Sequence, residues 1–188
     1  MKVAIIDNLD SFTYNLQHYL ESFAETVDVF RVDELDYLKL SEYDKLVISP
    51  GPGLPKDVKE LQHLVNYFQN SKPIIGICLG HQAIAEYYGA KLKNKKTVDH
   101  GVSKETNIIE DDIIFQGISK DFMSGRYHSW IVDNERLPKD LIVTAIDSDG
   151  FIMAFKHARY NVRGVQFHPE SVLTPEGMKI LENWVKLS

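Results

Sequence analysis

The run PIIGICLGHQ at residues 73–82 constrains the fold most, because it turns a buried strand directly into a helix. An apolar stretch ends at GICLG, residues 76–80, and apolar residues then recur at helical spacing. Glycines two residues before and after Cys78 permit the strained backbone and the close packing that such a turn needs. Cys78 would then lie at a helix N-terminus, where free N–H groups and the helix dipole favour a thiolate. A lone cysteine is more often a buried apolar residue. The GICLG spacing instead predicts that Cys78 is a nucleophile, provided that the chain also supplies a base.

A candidate base lies near the other end of the chain, at His168. Residues 162–167 are predicted to form a strand that runs into His168, and Pro169 stops it because proline cannot donate to a ladder. Residues two apart in an extended chain point the same way, so we expect Glu170 to reach the His168 ring. With Cys78, this predicts a Cys-His-Glu triad of thiol, imidazole base and orienting carboxylate.

The rest of the chain is typical of an α/β fold. Apolar strands are predicted before the Cys78 strand at residues 3–6, 27–32 and 46–48, with helices between them whose apolar stripes fall in 12–23 and 61–68. Asp10 or Ser11 is expected to cap the first helix. This alternation predicts a central, mostly parallel sheet flanked by helices. Ligands of such sheets bind beyond the carboxyl ends of the strands.

The second half changes character. The segments 141–147 and 151–157 flank Ser148-Asp149-Gly150, which indicates a hairpin and therefore antiparallel strands added to the parallel core. A closing helix is predicted from Thr174 as N-cap. Its expected inward residues are Met178, Leu181, Trp184 and Val185. The lysine cluster is interpreted as a solvated loop and comprises Lys91, Lys93, Lys95 and Lys96.

Composition excludes several classes of protein. The chain has 188 residues, 44% apolar and 26% charged, so a single domain over 1–188 is expected. A net charge of −6 argues against nonspecific nucleic-acid binding. No export signal or membrane span is predicted, and a reactive thiol suits a reducing cytoplasm. The first strand lacks a dinucleotide-binding glycine motif and the histidines lack zinc-ligand spacing, so neither a cofactor nor a metal ion is expected.

The motifs together resemble a known family. The Cys78 turn, the HPE stretch at 168–170 and the SPGPG loop at 49–53 are similar to those of class I glutamine amidotransferase domains. The resemblance extends from Lys2 to about Val185, which is essentially the whole chain.

A narrower resemblance is to the small subunits of anthranilate synthase. It rests on DNLDSFTYN at 7–15, RYHS at 126–129 and HPESVLT at 168–174. Two positions depart from the usual pattern, because Leu9 replaces a tyrosine and Trp130 replaces a leucine. Both lie outside the triad, so they bear on the fit of the pocket rather than on the chemistry.

The resemblance implies a glutaminase that needs no cofactor. Cys78 would attack the side-chain amide of L-glutamine, and His168 would protonate the departing nitrogen. Water would then cleave the glutamyl thioester. The backbone N–H groups of Leu79 and Gly53 are expected to hold the oxyanion. The residues implied to hold the substrate are Gly51, Pro52, Gly53, Gln82, Ser129 and Trp130, the last two through backbone groups.

The resemblance also implies a partner that receives the ammonia. This partner is a chorismate-binding synthase subunit (component I), which forms a heteromeric complex with the small subunit and makes anthranilate for tryptophan biosynthesis. The docking surface is expected at Asp10, Ser11, Tyr14, Asn15, His100 and Gly101. Three alternatives stay open: the amidotransferase subunit of aminodeoxychorismate synthase in folate biosynthesis, a stand-alone cysteine hydrolase such as a peptidase, and an idle docking subunit.

Overall fold

A single nine-stranded sheet organises the chain. The computed structural model describes the backbone of residues 1–188 and every side chain except those of residues 96 and 97. In chain order the strands are β1 Lys2–Asp7, β2 Thr26–Arg31, β3 Lys45–Ile48, β4 Ile74–Ile77, β5 Leu92–Ile108, β6 Asp121–Val132, β7 Leu141–Asp147, β8 Ile152–His157 and β9 Val162–Val165. Their order across the sheet is β2-β1-β3-β4-β9-β8-β7-β5-β6.

The sheet is parallel in one half and antiparallel in the other. Strands β2, β1, β3, β4 and β9 pair in parallel. Strands β8, β7, β5 and β6 extend the sheet by antiparallel pairing. Strands β4 and β9 are neighbours, with Ile77 opposite Val165. The segments that follow them, which carry Cys78 and His168, therefore leave the same edge of the sheet. The predicted mixed α/β sheet is confirmed.

Helices cover both faces of the parallel half. They are α1 Thr13–Glu21, α2 Tyr37–Leu40, α3 Lys59–Phe68, α4 Leu79–Tyr87 and α5 Gly177–Leu187. Val3 and Ile5 pack in one core cluster with residues of α1 and α5. Ala4 and Ile6 pack in a second cluster with residues of α3 and α4. Because successive residues of a strand point to opposite faces and both faces are covered, residues 3–6 of β1 are all apolar.

The predicted helix starts need correction. Phe12, and not Asp10 or Ser11, is the N-cap of helix α1, and no side chain caps the helix. The Asp10 carboxylate instead accepts from the Phe12 N–H at 2.8 Å, in the turn before the helix. Helix α5 begins at Gly177, not beside Thr174. The Thr174 hydroxyl is used elsewhere, since it donates to the His168 carbonyl at 2.7 Å and accepts from the Gly125 N–H at 2.9 Å.

Two further predictions are wrong. Met178 is 38% exposed, although the other three residues of the predicted inward stripe of α5 are buried. The lysine cluster is not a solvated loop, because most of it belongs to β5. Lys95 is buried and forms an ion pair with Asp99, which also binds Lys104 at 2.6 Å. The Lys96 side chain lies outside the described residues.

Candidate active site

Cys78 occupies a strained turn between β4 and α4. It is the N-cap of α4, with φ 51° and ψ −98°, a conformation that L-residues rarely adopt. A Cβ on Gly76 would lie 2.3 Å from the Gly80 carbonyl carbon, and a Cβ on Gly80 would lie 2.4 Å from the Ile48 carbonyl oxygen. Both glycines are therefore required for the close approach of α4 to the strands. The predicted strand-to-helix turn at Cys78 is confirmed.

His168 and Glu170 pair as predicted, but by a different local geometry. Strand β9 ends at Val165, three residues before His168, and residues 169 and 170 form a turn rather than an extended strand. The turn is closed by the Ser171 N–H, which donates to the His168 carbonyl at 3.2 Å. His168 Nδ1 lies 2.7 Å from Glu170 Oε1, and both side chains are buried.

The electrostatics of His168 favour its charged form. Burial opposes the charge, but the neighbouring Cys78 sulfur and the Glu170 carboxylate outweigh it and raise the pKa of His168 well above its usual value. Glu170 is hydrogen-bonded to Nδ1, whereas Nε2 forms no well-aligned hydrogen bond with another described residue. Nε2 is therefore the nitrogen available to exchange a proton at the Cys78 sulfur.

Two aromatic rings hold the His168 imidazole. The Tyr127 ring lies edge-on to it with centroids 4.8 Å apart, and the Phe12 ring does so at 5.5 Å. The Tyr127 hydroxyl is 3.0 Å from the Ser171 hydroxyl, which fixes the tyrosine in turn. Sequence reasoning missed Tyr127 as a site residue, although it lies in the RYHS motif, because its role depends on a contact across the fold.

The SPGPG loop packs against the turn at Cys78. The Asn8 N–H donates to the Ser49 hydroxyl at 3.0 Å, and the Asn8 side-chain amide donates to the Ser49 carbonyl at 2.8 Å. A Cβ on Gly51 would lie 2.5 Å from Asn8 Cβ and 2.7 Å from Leu79 Cδ2, so only glycine fits between them. Gly53 is exposed with φ 78°, and the neighbouring Pro52 is exposed as well.

Gln82 contacts other predicted substrate residues. Its Nε2 donates to the Trp130 carbonyl at 2.9 Å and to Gln166 Oε1 at 3.0 Å. Gln166 Nε2 in turn donates to Cys78 Sγ at 3.5 Å. Ser129 and Trp130 are half-buried in β6. Gln166 was missed from the sequence, because it reads there as one more residue of a strand.

The residues of the expected docking surface lie near the site. Ser11, Tyr14, Asn15, His100 and Gly101 are exposed, and Asp10 is half-buried. The His100 ring lies 5.6 Å from the Tyr127 ring, and Tyr127 also contacts Phe12 at 5.2 Å. A cavity of about 290 Å³ adjoins Glu170 and is lined by Phe12, Asn15, His18, Tyr19, Tyr127, Ser171 and Val172.

Neither a membrane span nor a metal cluster was found in the described part of the chain. None of its helices has the length and apolar character needed to cross a membrane. No three His, Cys, Asp or Glu side chains with described positions are grouped so as to hold a metal ion.

The fold and the site define a class: α/β proteins with a cysteine at a strand-to-helix turn and a His–Glu pair after the adjacent strand. The family model "Glutamine amidotransferase class-I" matches residues 4–187. The chain therefore belongs to the class I glutamine amidotransferase family.

Individual relatives agree with this family. Anthranilate synthase component 2 of Cyanidium caldarium is 42% identical, over 99% of this chain and 98% of that protein. Aminodeoxychorismate/anthranilate synthase component 2 of Bacillus subtilis is 40% identical, over 98% of this chain and 95% of that protein. A solved glutamine amidotransferase of Thermotoga maritima has the same fold, with a TM-score of 0.77 at 19% identity over 90% of this chain and 76% of its own.

Proposed function

We propose that this chain is the glutaminase subunit of an anthranilate synthase and that Cys78, His168 and Glu170 carry its chemistry. The observation that carries the proposal is the site itself. A cysteine with a strained backbone lies beside a buried His–Glu pair whose imidazole favours the charged form. His168 Nε2 is positioned to accept the proton of the Cys78 thiol when the sulfur attacks. A thiolate is the nucleophilic form of cysteine.

The reaction has two halves. The Cys78 sulfur bonds to the side-chain amide carbon of glutamine, and the carbonyl electrons move to oxygen. Collapse of this intermediate breaks the C–N bond, and His168 protonates the leaving nitrogen, which gives ammonia and a glutamyl thioester. Water then attacks the thioester while His168 accepts its proton, and glutamate and the thiolate are released.

The oxyanion hole is assigned to two backbone donors. Leu79 N–H lies directly after the nucleophile at the start of α4, where intrahelical partners are absent. Gly53 N–H belongs to the loop that Gly51 packs against Leu79. Each such donor is worth about 3–4 kcal/mol of barrier. Glycine at 53 lets the peptide turn toward the oxyanion at little steric cost.

Gln82 is assigned to the substrate through its oxygen. Its Nε2 carries two hydrogens, and both are used, by the Trp130 carbonyl and by Gln166 Oε1. Only Gln82 Oε1 remains as an acceptor, which suits the α-ammonium group of glutamine. Ser129 supplies backbone groups beside Trp130, and Pro52 stiffens the loop that carries Gly51 and Gly53.

The ammonia needs an acceptor, since in water it would become ammonium, which is not a nucleophile. We assign a chorismate-binding synthase subunit as the partner, because the relatives most similar to this chain include proteins named component 2 of anthranilate synthase. We place its docking surface at Asp10, Ser11, Tyr14, Asn15, His100 and Gly101. Tyr14 there is a 67% exposed aromatic side chain, and exposed aromatics are typical of interfaces. The reaction is assigned to a reducing cytoplasm, where the thiol stays free.

A second candidate product is aminodeoxychorismate. The Bacillus subtilis relative is named for both synthases at 40% identity, so one small subunit with such a sequence can serve two partners. The chemistry at Cys78 is the same in either case.

The test combines the chain with purified synthase subunits of each kind and supplies glutamine and chorismate. We expect anthranilate with the anthranilate synthase subunit, and glutamate release that rises about 10²–10³-fold on complex formation, the value of one recruited oxyanion donor. Cys78→Ala should stop glutamine-dependent synthesis, while synthesis from added ammonia continues. Aminodeoxychorismate as the only product would favour the second candidate. Full glutaminase activity in the isolated chain, unchanged by either subunit, would indicate a stand-alone hydrolase.

A further inference from the structure

We propose that Gln166 is a catalytic residue that holds the Cys78 sulfur as a thiolate, with the direction of its amide fixed by Gln82 and the Trp130 carbonyl. The inference rests on the proposed function only in taking Cys78 as the nucleophile.

Gln166 is placed rigidly beside the sulfur. It follows the last residue of β9, and its backbone N–H donates to the Met153 carbonyl at 2.8 Å, so its main chain is anchored. The residue is fully buried. Its Nε2 lies 3.5 Å from Cys78 Sγ, within the range of N–H···S hydrogen bonds. A buried amide that lost this partner would leave an unsatisfied donor, which is costly.

The orientation of the Gln166 amide follows from its neighbours. The Trp130 carbonyl oxygen can only accept, so the Gln82 atom facing it must be Nε2. That same Nε2 also faces Gln166, so the Gln166 atom opposite it must be Oε1. Gln166 Nε2 is then left to point at Cys78 Sγ. The chain of contacts thus aims an N–H group, and not a carbonyl oxygen, at the sulfur.

A donor at the sulfur has a definite chemical consequence. A hydrogen bond to the charged form of a group favours that form, so the Gln166 N–H increases the fraction of Cys78 present as thiolate. His168, paired with Glu170, is a titratable side chain that also faces the sulfur, and it is unchanged in the variants below, so a difference between their profiles reports the amide. The Gln166 N–H also makes the thiolate slightly less nucleophilic, since nucleophilicity falls as an anion is stabilised. The larger thiolate fraction dominates the rate at low pH, and the lower nucleophilicity dominates it at high pH.

The pH dependence of Cys78 alkylation separates these effects. Cys78 is the only cysteine in the chain, so the rate of reaction with iodoacetamide reports this one thiol. Gln166→Leu should slow alkylation about three- to tenfold at pH values well below the midpoint of the wild-type profile, and shift the whole rate profile to higher pH by about one unit. At high pH, where both proteins are fully ionised, the variant should react as fast or up to about threefold faster.

Gln69→Leu is the matched control, because Gln69 is another amide bonded at both ends, to the hydroxyls of Tyr87 and Tyr88. It should leave the profile unchanged. Gln166→Met supplies the same test with a flexible side chain if Gln166→Leu does not fold. Gln82→Leu tests the orienting contact without altering Gln166, and should shift the profile in the same direction by a smaller amount.

An unchanged profile in the Gln166 variants, or equal slowing at every pH, would overturn the inference, because a merely structural role alters access and not ionisation. Alkylation needs no glutamine. A shifted profile in a chain that does not hydrolyse glutamine even in complex with a synthase subunit would therefore contradict the proposed function and leave this inference standing. An unshifted profile in an active glutaminase would refute this inference alone.

Discussion

Cys78 combines the sulfur that we propose as nucleophile with backbone strain. Only Cys78 and Leu9 among non-glycine residues have positive φ, at 51° and 61°, in the chain as described. Such conformations cost on the order of 1–3 kcal/mol and persist where the surroundings impose them. At Cys78 the surroundings are the close contacts of Gly76 and Gly80. The strained backbone therefore belongs to the packed junction between β4 and α4, where the thiol lies.

This strain predicts an unusual order of stability between two variants. Both Cys78→Gly and Cys78→Ala remove the thiol, but only glycine adopts the Cys78 backbone conformation without steric cost. In urea titrations, we expect the free energy of unfolding to be about 1 kcal/mol higher for Cys78→Gly than for Cys78→Ala. At an unstrained position alanine is the more stable of the two by about 0.5–1 kcal/mol. That ordinary ranking at residue 78 would contradict the strain.

Buried histidines predict that the fold loses stability in acid. Burial lowers the pKa of His81 to about 3, and burial together with Arg126 and Lys95 lowers the pKa of His128 to about 3. Below pH about 6.5 the unfolded chain protonates these imidazoles and the folded chain does not, so the free energy of unfolding falls as pH falls toward 3. His168 has a raised pKa, so well below pH 6.5 it is protonated in both states and adds nothing to the slope there.

The measurement is urea unfolding of His81→Leu between pH 4 and pH 6. The variant should lose less stability over this range than the wild type, by about 1.4 kcal/mol per pH unit where the unfolded imidazole is fully protonated. His63→Leu, at an exposed position of α3, is the control and should keep the wild-type slope. Equal slopes for His81→Leu and the wild type would show that His81 takes up its proton in the folded state.

At the scale of elements, the junction of β4 and α4 leaves no room for a side chain at its glycines. A Cβ on Gly80 would meet the backbone of β3 at Ile48, which cannot move without disturbing the sheet. Gly80→Ala should therefore cost about 3 kcal/mol or more in the free energy of unfolding. The control is Gly150→Ala in the turn between β7 and β8, where nothing lies within 4 Å of the added Cβ and φ is 77°. It should cost only about 1 kcal/mol from backbone strain. Similar costs at the two positions would refute the packing argument.

Elements with local signals were predictable from the sequence. The turn at Cys78 follows from glycine spacing, and the hairpin at residues 148–150 follows from turn residues. Strands β5 and β6 were not predicted, because long antiparallel strands with polar residues depend on pairing across the fold. Lys95 shows the difficulty: its charge suggested solvent, but it forms a buried ion pair with Asp99, which also binds the more exposed Lys104.

The site shows the same division. The contact of His168 with Glu170 was predictable because the two lie two residues apart, although a turn and not a strand joins them. Gln166 and Tyr127 were not, because each acquires its role from a partner distant in sequence. The roles of the predicted substrate and docking residues stay predictions.

At the scale of the whole molecule, the site lies where the two halves of the sheet meet. Cys78 follows β4, and His168 follows β9, the last parallel strand before the antiparallel half. Two rings from distant parts of the chain contact the His168 imidazole: Tyr127 in β6 and Phe12 at the N-terminus of α1. Of the proposed docking residues, His100 lies beside the Tyr127 ring, and Tyr14 follows Phe12 by two residues in α1. A partner docked there, as we propose, would press on the rings that pack against the His168 imidazole. The expectation of one domain over 1–188 stays a prediction.

The central claim is that the Cys78 thiolate attacks the side-chain carbonyl carbon of glutamine. The most direct test uses a chloroketone analogue of glutamine, whose chloromethyl group replaces the side-chain amide nitrogen, with the complex of this chain and the synthase subunit. We expect one analogue bonded to each chain with loss of chloride, the bond located at Cys78 by mass spectrometry of peptides, and protection by excess glutamine. Glutaminase activity should fall in proportion to the label. Inactivation with Cys78 unlabelled, or labelling of Cys78 that glutamine does not slow, would contradict the account.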